Sequence, residues 1–519
     1  MTFTAPEQVD AMKAARPRRR WLKGCAWGCG GTVVLFLLLA VLLVALLVML
    51  LSRVPTSYPP MARPLEPPSR ADYAAAGLDG FDSPYLGHTG SWDGKGGAMW
   101  GGSKVPDLDR EVGMGLRWTF MPVHWRAMEP DGPVDPSTGV PDAWRALDAF
   151  VIEAQDHRLN ILMQAPVVGG NAGGPPDWAG RREPGKSAPA DMAAAAALAG
   201  KLAARYAPGG TLAVRQGWGE RYGVRAWELD NEPELYRTCW RGQAGDYAEF
   251  AAACAARIRQ ADPRAVIVLP GCAAGGQAGP WIEAALDAHG LGGSPEYRRR
   301  GAAHSIGPVA DVVSFHIYEG LDSTFGDRTL ERVFGEVRDV FETWETRAAG
   351  FGYPRKCEYW HTEGNFDFLG LLSGARRAAW RMQFFTRAFA AGLRKVCVMD
   401  ACAPEQAAVR AYVQTLPWPF PMRPADTEVK VRRGSAVAFR HPDSGTPGAG
   451  QVWVLWAVAG TGDAEVEVPV VREQVTRVHV DGTRTVCRTR GGRLAVDLKG
   501  DRKMAPPILL VDRPTAGDG

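Results

Sequence analysis

The chain is poor in the features that mark several large function classes. Its formal net charge is only +3 over 519 residues, and much of the arginine is scattered or sits in the N-terminal tail. That excludes the basic footprint expected of a nucleic-acid partner. No glycine-rich phosphate loop of the Walker or dinucleotide type follows a strand-like run, so no nucleotide cofactor is expected. The nine cysteines lack metal-ligand spacing: Cys25 and Cys29 flank an apolar run, and Cys397 and Cys402 bracket the end of a strand. No metal or redox centre is therefore expected. Seven cysteines follow the apolar run, an odd number, so at least one is free or pairs between chains.

What is present starts with that run. Gly30 to Leu51 contains neither charge nor proline and is long enough to cross a bilayer as one helix. RPRRRWLK precedes it, Arg16 to Lys23, which places the N-terminus in the cytoplasm and the remainder outside. The run is too long for a signal-peptide core, and no small-x-small cleavage site follows it. The expectation is an uncleaved, single-pass anchor in the cytoplasmic (inner) membrane, with a periplasmic or extracellular domain. The parts are a basic tail (1–29), a transmembrane helix (30–51), a Pro-rich linker (52–75), a barrel (76–423) and a C-terminal module (424–515).

Beyond the linker, apolar runs of strand length alternate with segments of helical period. The strand-like runs are SPYLGHTG (83–90), LRWTFMPV (116–123), LNILMQAPVV (159–168), VRAWELDN (224–231), AVIVLPG (265–271), DVVSFHIY (311–318), KCEYWHTE (356–363) and KVCVMDA (395–401). Strand-then-helix repetition implies a parallel sheet, and continuous apolar strands imply burial on both faces. Eight such units fit a closed (β/α)8 TIM barrel better than an open sheet. Polar residues break the apolar runs at one end of the strands, at His88, His124, Asn231, Glu232, His316, Tyr318 and Glu363. That is the end where such barrels carry their chemistry. From about Pro424 the pattern becomes short alternating runs separated by Gly, Asp and Thr turns, which reads as a β-sandwich.

WELDNEPEL, Trp227 to Leu235, holds four carboxylates in nine residues. Cleavage of a glycosidic bond with retention needs two carboxyl groups close together, one an acid and one a nucleophile. Glu232 ending the fourth strand and Glu363 ending the seventh are the candidates. Glu228 reads as a buried structural carboxylate, and Asp230 as structural or as a partner of the site. By strand alternation those two should face the same way. Glu234, past the proline, reads as solvated.

The pieces WELDNEP, SFHIY and YWHTEG, with GLRWTFMPVHWRAMEP on strand two and PPDWAG after strand three, occur in order over roughly 83–404. In this the chain resembles the (β/α)8 retaining glycoside hydrolases that carry acid/base on strand four and nucleophile on strand seven. The family 39-type enzymes and bacterial exopolysaccharide hydrolases are the nearest among them. The resemblance implies Glu232 as acid/base, Glu363 as nucleophile and Asn231 on the sugar 2-hydroxyl. It implies that His316 and Tyr318 orient the glutamates, and that the substrate is a polysaccharide or oligosaccharide needing no cofactor. His88 and His124 are further candidate sugar contacts, and His361 a weaker one. Of the eighteen tryptophans, Trp178 and Trp240 are the best candidate platforms for a sugar face, because each follows a strand. The chain departs from its relatives in Phe120 where an arginine is common, in Met399-Asp400 where a tryptophan is common, and in Asp230. The first two bear on the shape of the −1 subsite. Two other functions stay open: a non-catalytic carbohydrate-binding barrel acting as a scaffold, and a transglycosylase using the same glutamates.

Overall fold

The structure is a computed structural model. It describes residues 83–512 apart from 89–106, 137–139, 170–173, 184–186, 219–221, 235–239, 241–242, 274–277, 287–305, 307–308, 320–329, 350–356, 365–372, 400, 443–449 and 503. The expected membrane run (30–51), the linker, Trp92, Trp100 and Asp400 lie outside the described residues. Among the described residues no helix is long and apolar enough to cross a membrane.

Eight parallel strands form one sheet: β1 (Tyr85–His88), β2 (Trp118–His124), β3 (Asn160–Val167), β4 (Ala226–Glu228), β5 (Val266–Ala273), β6 (Val312–His316), β7 (Glu358–Glu363) and β8 (Val396–Met399). Their order in the sheet follows the chain, with β8 beside β1. The ring closes where β7 meets β8: Trp360 and Lys395 form a parallel bridge, and the His361 and Arg394 amides donate across it at 2.9 Å. The expected strands all lie where the apolar runs stand. The fourth is the shortest, ending at Glu228 rather than Asn231.

Alternation along the strands sorts the barrel interior by height. Near the N-terminal ends, Trp118, Trp360 and Cys397 join Leu86, Phe120, Leu162, Ala226, Val268 and Val312 in one apolar cluster. The Lys395 ammonium sits 4.2 Å from the Trp118 ring centroid and 4.9 Å from that of Trp360. It also donates to the Ser83 carbonyl at 2.7 Å. A buried ammonium is tolerated there because two indole faces and a carbonyl replace its water. Two residues further along β3, β4, β6 and β7 the lining turns polar, with Gln164, Glu228, Ser314 and Thr362.

Helices cover the outside. Asp191 caps the helix Met192–Tyr206, its carboxylate accepting from Ala194 N at 2.9 Å, as an N-cap aspartate should. Gly392 ends the helix Gly374–Ala391 in the left-handed conformation (φ 100°) and turns the chain into β8. That helix also carries Arg381, which is fully buried and donates to the carbonyls of Cys397 (3.4 Å) and Met399 (3.0 Å) and to Glu405 (2.9 Å). It pins the last strand at the end where the site lies.

The C-terminal residues form two antiparallel sheets. One holds β9 (Arg423–Pro424), β11 (Ala436–His441), β12 (Gln451–Ala457), β14 (Gln474–Val478), β15 (Arg484–Arg488) and β17 (Ile508–Asp512). The other holds β10 (Lys430–Arg433), β13 (Ala464–Pro469) and β16 (Arg493–Leu498). In β13 and β16 every second residue is buried, and those residues meet Trp453, Leu455 and Leu510 in a core separate from the barrel's. The sheets join the barrel through its helix Gly374–Ala391, where Gln383 donates to Ala505 O at 2.6 Å and Arg376 pairs with Asp501 at 3.2 Å.

Replacing Arg381 with Ala leaves the buried Glu405 to Arg377, 2.7 Å away, but unpairs one of its oxygens and frees the β8 carbonyls. We expect a loss of about 1–3 kcal/mol, the usual cost of leaving buried polar groups unsatisfied, read by chemical denaturation. A loss below about 1 kcal/mol would show that Arg381 does not anchor the strand.

Candidate active site

The site forms where β4, β6 and β7 end. After Glu228 the backbone leaves the sheet. Asp230 (φ 69°) and Glu232 (φ 42°) both adopt left-handed conformations, which for non-glycine residues cost roughly 1–3 kcal/mol and cluster at functional sites. The turn breaks the alternation expected from the sequence, so Glu228 and Asp230 do not act together. Glu228 is fully buried in the barrel, accepting from Gln164 (3.3 Å) and Thr362 (3.0 Å) and in hydrogen-bond contact with the Ser314 hydroxyl. Asp230 instead accepts from the amides of Val168 (2.9 Å) and Gly169 (3.0 Å), tying the end of β3 to the turn. Burial raises Asp230 to about 7, although the amides of Val168, Gly169 and Asn231 oppose the shift. Glu234 is a second correction: it is 4% exposed, buried with the turn rather than solvated.

The same turn brings Glu232 to His316, with Oε1 2.6 Å from Nδ1. The other glutamate arrives by a different device. The β6–β7 register slips between Phe315 and His316, so that His316 pairs with Glu363 and Thr362 is the extra residue. A bulge of this kind re-aims side chains at a strand end. Thr362 reaches down to Glu228 while Glu363 accepts from the Tyr318 hydroxyl. Gly364 makes the bulge possible, because a Cβ there would stand 2.1 Å from the Ile317 carbonyl oxygen. That explains the glycine of YWHTEG.

His316 lies between the two acids. Its Nδ1 is 3.7 Å from Glu363 Oε2, and ligating atoms of Glu232, His316 and Glu363 all lie within 4.8 Å of one another. Burial by itself would lower this histidine. The charge of Glu363, the hydrogen bond and charge of Glu232, and the smaller effect of Glu228 outweigh it and raise His316 to about 9. Burial and the charges of Glu363 and Glu232 push the Tyr318 hydroxyl well above its ordinary range, so it stays a donor. Tyr318 also lies 3.8 Å from the sulfur of Met399. One imidazolium, one phenol and two carboxyls thus form a compact set able to hold and move a proton.

Asn231 is half-buried, and its Oδ1 accepts from Gln164 at 3.1 Å. Gln164 was missed from the sequence, although its inward parity with Leu162 on β3 marks it. Ser314 and Thr362 were missed in the same way and carry the same parity signal. His124 ends β2, and burial lowers it to about 4, which leaves it a neutral imidazole. His88 ends β1 in register with Met399, and its side chain lies outside the described residues. His361 belongs to the barrel wall: its Nδ1 accepts from Cys397 N at 3.2 Å, helping close β7 on β8. Trp178 is half-buried beyond β3, donating to Glu129 O at 2.8 Å with its ring edge-on to Trp125. Trp240 corrects an expectation. It is fully buried against Tyr247 and Phe250, so it has no face to offer a sugar. Phe120 sits in the apolar cluster of the barrel interior.

No family model matches the chain, and no curated protein matches it. Solved structures do. A glucosidase from Croceicoccus marinus is similar at TM-score 0.51 and 14% identity, over 80% of this chain and 93% of that one. AbfB, a family 51 alpha-L-arabinofuranosidase from Bifidobacterium longum, is similar at TM-score 0.51 and 12% identity, over 83% and 95%. CelM2, a bifunctional glucanase-xylanase from a metagenome library, gives 0.50 and 14%, over 78% and 94%. These likenesses show the fold. At such identities they do not by themselves carry an activity across.

Two measurements test this geometry. Gly364→Ala forces a methyl group onto the Ile317 carbonyl, and we expect about 1–3 kcal/mol of destabilisation by denaturant unfolding. No loss would mean that the bulge does not need the glycine. The second concerns His316, whose value of about 9 lies above the ordinary 6.5. Its pairing therefore stabilises fully below about pH 6.5 and is lost as pH rises through about 9. The stability difference between the wild type and His316→Gln should shrink across that window. A difference independent of pH would contradict a charged His316.

Proposed function

We propose that the chain is a retaining glycoside hydrolase acting on a polysaccharide or oligosaccharide. The observation that carries the reading is the convergence of Glu232, in the turn after β4, and Glu363, ending β7, with one oxygen of each within 4.8 Å of the other. Retention calls for carboxyl groups about 5–5.5 Å apart, against roughly 6.5–9.5 Å for inversion. The three structural neighbours above carry glycosidase names, which supports the same class.

In this reading Glu363 attacks the anomeric carbon while Glu232 gives its proton to the leaving oxygen. The glycosyl ester then breaks as Glu232 takes a proton from the incoming water. Tyr318 donates to Glu363 and holds the nucleophile's lone pairs in place. His316 Nδ1 lies 2.6 Å from Glu232 Oε1, close enough for a proton to pass between them. Asn231, held by Gln164, meets the 2-hydroxyl, a contact that strengthens as the ring becomes oxocarbenium-like. His124, ending β2, and Trp178, beyond β3, are the further sugar contacts of this reading, with His88 proposed from its place at the end of β1. The family 39-type and exopolysaccharide-hydrolase assignment rests on the strand motifs. The single-pass anchor rests on the Gly30–Leu51 run and the basic residues before it. Together they suggest an enzyme held at the outer side of the cytoplasmic membrane, with exopolysaccharide turnover as its setting.

Glu363→Gln should reduce kcat on the order of a thousandfold or more, about 4 kcal/mol of barrier. NMR of the first-formed product should show the anomeric configuration of the substrate. Activity surviving Glu363→Gln undiminished, or an inverted product, would sink this assignment. Disaccharide products with an added alcohol or sugar acceptor would favour transglycosylation. Binding without turnover across a panel of bacterial polysaccharides would favour a scaffold.

A further inference from the structure

Below the catalytic pair lies a third carboxyl group, and its neighbours allow its protons to be counted. The Ser314 hydroxyl oxygen is in hydrogen-bond contact with two other oxygens, the Leu269 carbonyl at 2.6 Å and Glu228 Oε1. Two oxygens at that range attract only with a hydrogen between them. The two contacts need two hydrogens. Ser314 has one and the carbonyl has none. The second must come from Glu228. The remaining contacts agree: Thr362 donates to Oε1 at 3.0 Å, and Gln164 donates to Oε2 at 3.3 Å, leaving each oxygen a role it can fill in the acid form.

We propose that Glu228 is a positioning residue that stays protonated at neutral pH, a neutral carboxylic acid donating to Ser314. Two features of its surroundings work in the same direction. Glu228 is fully buried, and burial disfavours a carboxylate. The charged groups above it are the Glu232 and Glu363 carboxyls and the His316 imidazole between them. A third negative charge beneath two others would be repelled. A neutral Glu228 leaves the proton on His316 to the two upper glutamates, whose effects on it are the larger ones.

The consequence is orientation. Glu228 joins β4 to Gln164 on β3, Ser314 on β6 and Thr362 on β7, and each partner adjoins a site residue. Gln164 uses one amide hydrogen on Glu228 and the other on Asn231 Oδ1, which fixes the Asn231 amide with its NH2 turned away from Gln164. Ser314 precedes His316 by two residues on the same face, and Thr362 is the bulged residue before Glu363. The positioning role rests on the glycosidase reading, whereas the protonation state does not.

Infrared difference spectra of the full-length chain in 2H2O separate the two. At about pH 8.5, above the value to which burial raises Asp230, the wild type and Asp230→Asn should both show the C=O band of a buried protonated carboxyl, absent from Glu228→Gln. Should Glu228→Gln fail to fold, Ser314→Ala should shift the same band. No such band in wild type and Asp230→Asn overturns the proposal. For the role, Glu228→Ala should lower kcat/KM at least about tenfold and Glu228→Gln, a neutral donor, should restore most of it. A glutamine no better than alanine overturns the role. A wild type without turnover would count against the glycosidase reading while the infrared result still stands.

Discussion

Carboxyl groups held close together cannot all ionise without repelling one another, and the upper half of this barrel holds three of them within a few side chains. Water screens such repulsion at a surface, but here Glu228 is fully buried and Glu232 nearly so. The surrounding residues can be understood as a response. His316 supplies a positive charge between Glu232 and Glu363, and Tyr318 donates a hydrogen bond to Glu363. Gln164, Ser314 and Thr362 surround the lowest acid. Replacing any of the three with an apolar side chain would relieve the crowding, so the cluster is costly to stability, as groupings of buried titratable residues are.

The backbone bears a matching cost. Two consecutive turn acids, 230 and 232, sit in left-handed conformations, and a bulge displaces the end of β7. Each distortion delivers one glutamate to the cleft. Neither is needed to close the barrel, because the ladders below β4 and β7 are regular up to those points. Rigid neighbours hold the distortions in place: Asp230 on the Val168 and Gly169 amides, and Arg381 on the carbonyls at the end of β8.

Much of this was legible in the sequence for a plain reason. A strand buried on both faces must be apolar along its length, so eight such runs separated by helical periods marked the barrel and its strand limits closely. The polar interruptions at Asn231-Glu232, His316, Tyr318 and Glu363 converge at one end of it. Trp178 and Trp240 show the limit of the same reasoning. Both follow strands, yet Trp240 packs inward on Tyr247 and Phe250, because a following helix brings those rings to it. Residues beyond a strand end have no parity to read, so exposure there depends on neighbours far along the chain.

The four acids of WELDNEPEL mark the division most clearly. Sequence alone determined that a parallel barrel would present Glu232 and Glu363 at a common rim, because strand order and apolar length are local properties that add up. The sequence also marked Glu228 as a buried structural carboxylate, and it is buried. Only the tertiary structure decided that Asp230 turns to the end of β3 and that Glu234 is buried. A left-handed turn reverses the alternation on which the sequence argument relied. Which acid holds a proton likewise follows from how many hydrogens its neighbours from other strands can spare, and that count exists only once the strands have met.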